Sequence, residues 1–283
     1  MSIGVFDSGV GGLSVWREIV RLVPDAETIY VADQANVPYG TRQLVEVRRL
    51  SEAITRFLLD GGAEMVVVAC NTASAAALHH LREIFPDVPF VGMEPAVKPA
   101  VAQSRSGIVG VLATPATFEG ELFASLLERY AGEAKVMTQV CPGLVEAVES
   151  GFLDSEETRL QVRRCLAPLA QAGADQLVLG CTHYPFLRSL IEDEAGPDVT
   201  VVDPSPAVAR QAVHVLRSSG LLRAAEDPGD GEHRGGRHLF FTTGEVARFA
   251  GLLERLVGLA AAGRKEVRAA RWSEGSLEAR RAD

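Results

Sequence analysis

Short apolar runs alternate along this chain with longer stretches in which apolar side chains return at helical spacing. The short runs predict strands and the longer ones helices with one buried face, and their alternation predicts parallel strands joined by crossover helices. The opening unit is clear. Residues 3–6 predict a strand, residues 9–12 a turn, and Leu13, Trp16, Ile19, Val20 and Val23 the buried stripe of a helix that Pro24 stops. Residues 28–32 predict a second strand, and Leu44, Val47, Ile54, Phe57 and Leu58 mark the helix after it. Residues 65–69 are apolar without a break, as in a strand buried on both faces.

The pattern repeats. Residues 173–181 (GADQLVLGC) match residues 62–70 (GAEMVVVAC) in character at nearly every position. Residues 109–114 (VGVLAT) resemble residues 3–8 (IGVFDS), and residues 202–204 (VDP) resemble residues 93–95 (MEP). Ordinary strand composition produces some likeness of this kind, but three strand ends recur here in the same order at nearly the same separation. The fold expected is α/β, with two similar doubly wound α/β domains related by pseudo-two-fold symmetry and the active site in the cleft between them. The first domain, carrying Cys70, is expected to comprise residues 1–95 and 206–262, and the second, carrying Cys181, residues 96–205. Within the returning segment, Ser205 and Pro206 fit the start of a helix over residues 205–219, residues 224–237 read as a surface loop, residues 238–243 as a strand and residues 244–259 as a helix. Residues 263–283 form a charged tail with little capacity to build a core, expected to be mobile or weakly helical.

Composition narrows the function classes. With 283 residues, 47% of them hydrophobic, the chain is long enough for substantial cores. A net charge of -9 supplies no broad positive field, so neither a nucleic-acid partner nor an anionic membrane is expected. Met1 leads directly into an apolar strand, without the basic and then apolar stretches of a secretion signal, and no apolar run reaches bilayer-spanning length. A cytoplasmic location is therefore expected. Four cysteines without a C-x-x-C pair predict reduced thiols rather than a disulfide framework.

Cys70 and Cys181 each end an apolar strand and lead at once into a predicted helix start. Free backbone N–H groups there favour a thiolate and an anionic ligand, so both thiols are expected to ionise more readily than an ordinary buried cysteine. A lone cysteine would read as a small core residue; two at repeat-equivalent positions read as a pair. Cys141 and Cys165 lack this setting, and Cys165 reads as core. One thiolate can take a proton from carbon while a thiol on the opposite face returns one, which inverts configuration without a cofactor. The pair thus points to a racemase or epimerase rather than a hydrolase.

Asp7, at the end of the first strand, can lie beside Cys70, although its repeat counterpart is the uncharged Ala113; His183 is the natural partner of Cys181. Each could instead simply cap a turn or helix. The glycine-rich residues 7–12, with Asp33 at the end of the second strand, invite a dinucleotide reading, but the third glycine position holds Ser14 and Asp7 would face pyrophosphate. A metal at Cys181 and His183 lacks further ligands. Neither metal nor cofactor is expected.

These residues resemble the glutamate racemase family, within the wider aspartate/glutamate racemase superfamily. The likeness runs from residues 4–9 (GVFDSG) through Pro38-Tyr39-Gly40, Cys70-Asn71-Thr72-Ala73, Cys141-Pro142 and residues 179–185 (LGCTHYP) to Thr242-Thr243-Gly244. It implies interconversion of L- and D-glutamate, supplying D-glutamate for peptidoglycan, by a homodimeric enzyme. Cys70 would exchange the proton of the D-isomer with help from Asp7, and Cys181 that of the L-isomer with help from His183. Glu149 matches a further acidic residue of the family, although its own context reads as a solvated carboxylate. Substrate contacts carry over to Asp7, Ser8, Pro38, Tyr39, Gly40, Asn71, Thr72, Thr182 and His183, with Thr114 and Thr117 as additions. Ala113 departs from the glycine more usual before that threonine. Racemisation of aspartate or another acid, and a ligand-binding module without catalysis, are the competing readings.

Overall fold

In the computed structural model, residues 1–222, 235–258 and 264–280 are described. The first sheet contains β1 (Ser2–Asp7), β2 (Glu27–Ala32), β3 (Met65–Val68) and β4 (Phe90–Gly92); the second contains β5 (Ile108–Ala113), β6 (Lys135–Val140), β7 (Gln176–Leu179) and β8 (Thr200–Val202). The chain then returns to the first sheet with β9 (Arg237–Thr242), β10 (Arg264–Ser273) and β11 (Ser276–Ala279). The strand orders are β11-β10-β9-β2-β1-β3-β4 and β6-β5-β7-β8. All neighbours are parallel except β10 and β11.

The segment β2-β1-β3-β4 has the same permutation as β6-β5-β7-β8, so the repeat seen in the sequence is a repeat of topology. In each unit, successive crossovers leave the first strand in opposite directions. This places a topological switch point between β1 and β3 and another between β5 and β7, beyond whose carboxyl ends α/β sheets bind ligands. Asp7 ends β1 and Cys70 follows β3; Thr114 follows β5 and Cys181 follows β7.

The local physics is ordinary. The helix Leu13–Leu22 buries Leu13, Val15, Trp16, Ile19 and Val20. Trp16 packs edge-on to Phe240, with ring centroids 5.0 Å apart, and its indole N–H donates to Thr28 Oγ1 at 2.9 Å, so its one polar atom is satisfied. Phe240 of β9 is fully buried, which ties the returning segment into the first core by about 2–3 kcal/mol for that side chain alone. In the second unit, Ser155 caps the helix Glu156–Ala172 by accepting the Thr158 N–H, and Gly173 ends it in the left-handed conformation.

One expectation is corrected. The charged C-terminal stretch is neither mobile nor helical over its described part: β10 adds to β9 in parallel, and β11 folds back on it. Its charges hide a period of two, since Lys265, Val267 and Ala269 are half-buried while Arg264, Glu266 and Arg268 point outward. Cys165 is core, as expected, and it faces Cys141. Both are buried and only 5.4 Å apart at Cα, so their side chains meet in the core of the second unit. Twenty-four residues of sequence separation concealed that proximity. Of the loop expected at residues 224–237, residues 224–234 lie outside the described residues. No described helix is long and apolar enough to cross a membrane.

Candidate active site

Cys70 and Cys181 arrive at the site by related routes. After β3, Cys70 keeps an extended backbone and caps the helix Asn71–Ile84, its sulfur accepting the Ala73 N–H at 3.5 Å. After β7, Gly180 donates its N–H to Leu112 O at 2.7 Å. A Cβ on Gly180 would sit 2.9 Å from that carbonyl, so only glycine lets the strand end pass this close to β5. Cys181 follows, but the chain then makes the short 3-10 turn Tyr184–Leu187 before the helix Arg188–Ala195 begins. The two strand ends are thus alike in position and unlike in what caps them.

Both thiols line one cavity. From the first unit it is walled by Ser8, Pro38, Tyr39, Gly40, Asn71 and Thr72, and from the second by Thr114, Thr117, Thr182 and His183. Asp7 and Glu149 stand behind this wall. The cavity holds only about 10 Å³, roughly one water, so this form of the site is closed. A cleft of about 420 Å³ lies beside residues 90–99 and 204–211, but it holds no thiol; chemistry, not volume, marks the site.

On the Cys70 side, Asp7 is fully buried, its carboxylate accepting the N–H groups of Gly9 (3.2 Å) and Gly12 (3.0 Å) and the Thr182 hydroxyl (3.3 Å). Burial raises the Asp7 carboxyl above its ordinary value despite the nearby His183 charge and the Gly12 N–H. Burial, reinforced by the Asp7 charge, also pushes the Cys70 thiol well up. This corrects the expectation of an easily ionised Cys70, because at a fully enclosed helix start desolvation outweighs the N–H groups.

The Cys181 side is a hydrogen-bonded row. The Cys181 sulfur lies 3.8 Å from His183 Nδ1, and His183 Nε2 lies 2.7 Å from Glu149 Oε1. Glu149 also accepts the Val10 N–H at 2.7 Å and the Gln34 amide N–H at 2.7 Å. Burial alone would push the imidazolium down, but its bonds to Cys181 and Glu149 raise His183 well above its ordinary value. Burial would likewise raise Glu149, yet His183, Gln34 and Val10 hold it below the usual carboxylate range. Both shifts favour the same pairing, imidazolium with carboxylate. Glu149 is a buried partner, not the solvated side chain its helical context suggests: the helix Leu144–Glu149 ends against the turn after β1.

That turn explains its own glycines. A Cβ on Gly9 would fall 1.8 Å from Glu149 Oε1, and one on Gly11 would fall 2.4 Å from His183 Nδ1. The glycines make room for side chains of the other unit, which leaves no basis for the pyrophosphate cradle of a dinucleotide site.

The same cavity is lined by polar groups without a charge. The hydroxyls of Thr72, Thr114 and Thr117 form a triangle of 2.9, 2.9 and 3.3 Å across the two units. The Asn71 side chain is buried, and neither its amide nitrogen nor its amide oxygen has a protein partner. An amide left in this state costs about 1–3 kcal/mol per group, a cost that a polar ligand in the cavity removes. Gln34, which reaches across to Glu149 while accepting the Thr242 hydroxyl at 2.8 Å, was not foreseen. It sits next to Asp33 at the end of β2, and that strand-end position was the available signal.

The Asp/Glu/Hydantoin racemase family model matches residues 3–212. A glutamate racemase of Herpetosiphon aurantiacus is 52% identical over 248 residues, covering 88% of this chain and 94% of that protein. The crystal structure of glutamate racemase isoform RacE1 from Bacillus anthracis superposes with a TM-score of 0.83 at 34% identity, covering 97% of this chain and 98% of that one. Escherichia coli glutamate racemase, solved with L-glutamate and the activator UDP-MurNAc-ala, superposes with a TM-score of 0.77 at 31% identity, covering 94% and 98%.

Proposed function

Because the chain belongs to the Asp/Glu/Hydantoin racemase family and, within it, to the glutamate racemases, we propose that it interconverts L- and D-glutamate by passing protons between Cys70 and Cys181, without a cofactor. The observation that carries this reading is the pair of free thiols, one from each topological repeat, on one cavity.

In the L-to-D direction, the Cys181 thiolate takes the α-proton and becomes a thiol, while the C–H electron pair spreads into the α-carboxylate. Cys70 then gives its S–H proton to the opposite face of the α-carbon and is left as a thiolate. The D-to-L direction reverses both steps, and proton exchange with solvent resets the thiols. The raised Cys70 thiol is the form that donates, and the raised Asp7 carboxyl beside it is the better proton acceptor in the reverse direction. The His183 imidazolium, held by Glu149, accompanies the charge on the Cys181 sulfur. Asn71 and the threonine hydroxyls supply donors to the carboxylates, and a well-placed donor to charge that develops in the transition state contributes about 3 kcal/mol.

The product suits supply of D-glutamate to peptidoglycan, and with that role comes a cytoplasmic setting; a homodimer is what the family resemblance implies. The direct test is loss of circular dichroism from L-glutamate and from L-aspartate. Rapid loss with glutamate and slow loss with aspartate is expected; binding of glutamate with no loss of optical activity would favour a ligand-binding module instead. Gly9→Ala should lower kcat/KM by about 10²-fold, because Glu149 must retreat from the new methyl group and His183 with it. Thermal unfolding of the same variant checks that the loss comes from the site and not from the fold.

A further inference from the structure

One buried carboxylate takes no part in these proton transfers. Asp33 follows β2, is fully buried, and donates its backbone N–H to Asp7 O at 3.0 Å. Its Oδ1 accepts the Thr243 hydroxyl at 2.9 Å and the Trp272 indole N–H at 2.7 Å. Its Oδ2 accepts the Tyr39 hydroxyl at 2.7 Å, and the Asn36 amide spans both oxygens at 3.1 and 3.0 Å. Every one of these side-chain donors is neutral. A buried carboxylate is costly unless hydrogen-bonded, and here the donors come from three parts of the chain: the loop after β2, the end of β9, and β10. A turn cap needs only the first.

We infer that Asp33 is a positioning residue for the substrate-facing loop 36–41, and that the C-terminal strand β10 belongs to this device through Trp272. The loop reaches the site at Pro38, Tyr39 and Gly40, all of which line the cavity. Tyr39 is buried, so its hydroxyl on Asp33 fixes where its ring lies. Gly40 meets the second unit so closely that a Cβ there would fall 2.4 Å from Thr114 Cβ. Thr114 in turn completes the hydroxyl triangle with Thr72 and Thr117. Trp272 on Asp33, Asp33 on Tyr39, and Gly40 against Thr114 thus form one path from β10 to the polar wall that receives substrate. The sulfurs are not on this path, so its loss is felt in binding more than in proton transfer.

The inference rests on the racemase reading for its kinetic consequence and on geometry alone for its structural one. The test is Trp272→Phe in the full chain, which keeps an aromatic ring and removes the N–H. It is expected to raise KM for glutamate about 5-fold with kcat within about 2-fold, and to speed amide hydrogen exchange at residues 35–42 while β1 and β3 stay protected. Tyr39→Phe should raise KM as well, and the double variant should do no worse than the larger single change, because both act through one carboxylate. Unchanged KM in an active enzyme, equal falls in kcat and thermal stability, or strictly additive effects would overturn the inference. The exchange measurement needs no turnover: unchanged exchange at residues 35–42 overturns the inference even if the protein fails to racemise glutamate, and faster exchange there upholds it.

Discussion

Cys70→Ala and Cys181→Ala are each expected to lower glutamate racemisation by about 10³-fold, followed as loss of circular dichroism, because in the proposed mechanism each removes the proton carrier on one face of the α-carbon. Neither thiol can stand in for the other across a closed cavity. The two variants should differ in what survives. Cys70→Ala keeps Cys181, which can still remove the α-proton of L-glutamate and return a solvent proton to the same face; slow exchange of L-glutamate without inversion is the expected residue. Cys181→Ala should show that exchange with D-glutamate instead. Full racemisation by either variant contradicts the two-thiol mechanism.

Glu149→Gln should lower kcat by about 10²-fold and move the alkaline limb of its pH profile to lower pH. Burial works against the His183 imidazolium, and the carboxylate of Glu149 is among the groups that reverse this. The folded His183 is raised above its ordinary value of 6.5, so the stabilisation it gives is complete below that value and is lost as pH rises through the higher folded value. Glu149 is lowered, so its share is complete above 4.5 and is lost as pH falls through the lower folded value. The ion pair therefore spans the interval between those limits, and removing the carboxylate closes it from the alkaline side. L- and D-glutamate have equal free energy, so kcat/KM must be the same in both directions for every variant. The asymmetry between an Asp7-backed and a His183-backed thiol can appear only in kcat and KM taken separately. A Glu149→Gln profile that overlays the original would sink the assigned role.

Much of this was legible in the chain because the strands are short and apolar and the repeat is close. The matches of residues 173–181 with 62–70, and of 109–114 with 3–8, are matches of β7 with β3 and β5 with β1, neighbours in equivalent places. What escaped depended on contacts distant in sequence. Glu149 looked solvated because nothing in residues 144–149 reveals that the turn after β1 closes over them. Cys70 looked reactive because a helix start favours a thiolate, whereas the degree of enclosure, which decided the outcome, is a property of the assembled cleft. β10 was obscured by its arginines, whose outward charges outweighed a weak alternation of half-buried positions.

The most direct test of two thiols on two faces is the fate of the α-hydrogen when L-glutamate is turned over briefly in deuterium oxide. The mechanism predicts D-glutamate carrying solvent deuterium at the α-carbon while the unreacted L-glutamate stays protiated, because the hydrogen removed by Cys181 is not the one delivered by Cys70. Deuterium entering the L-glutamate pool as fast as D-glutamate forms, or D-glutamate retaining the original hydrogen, would mean one base serving both faces and would contradict it.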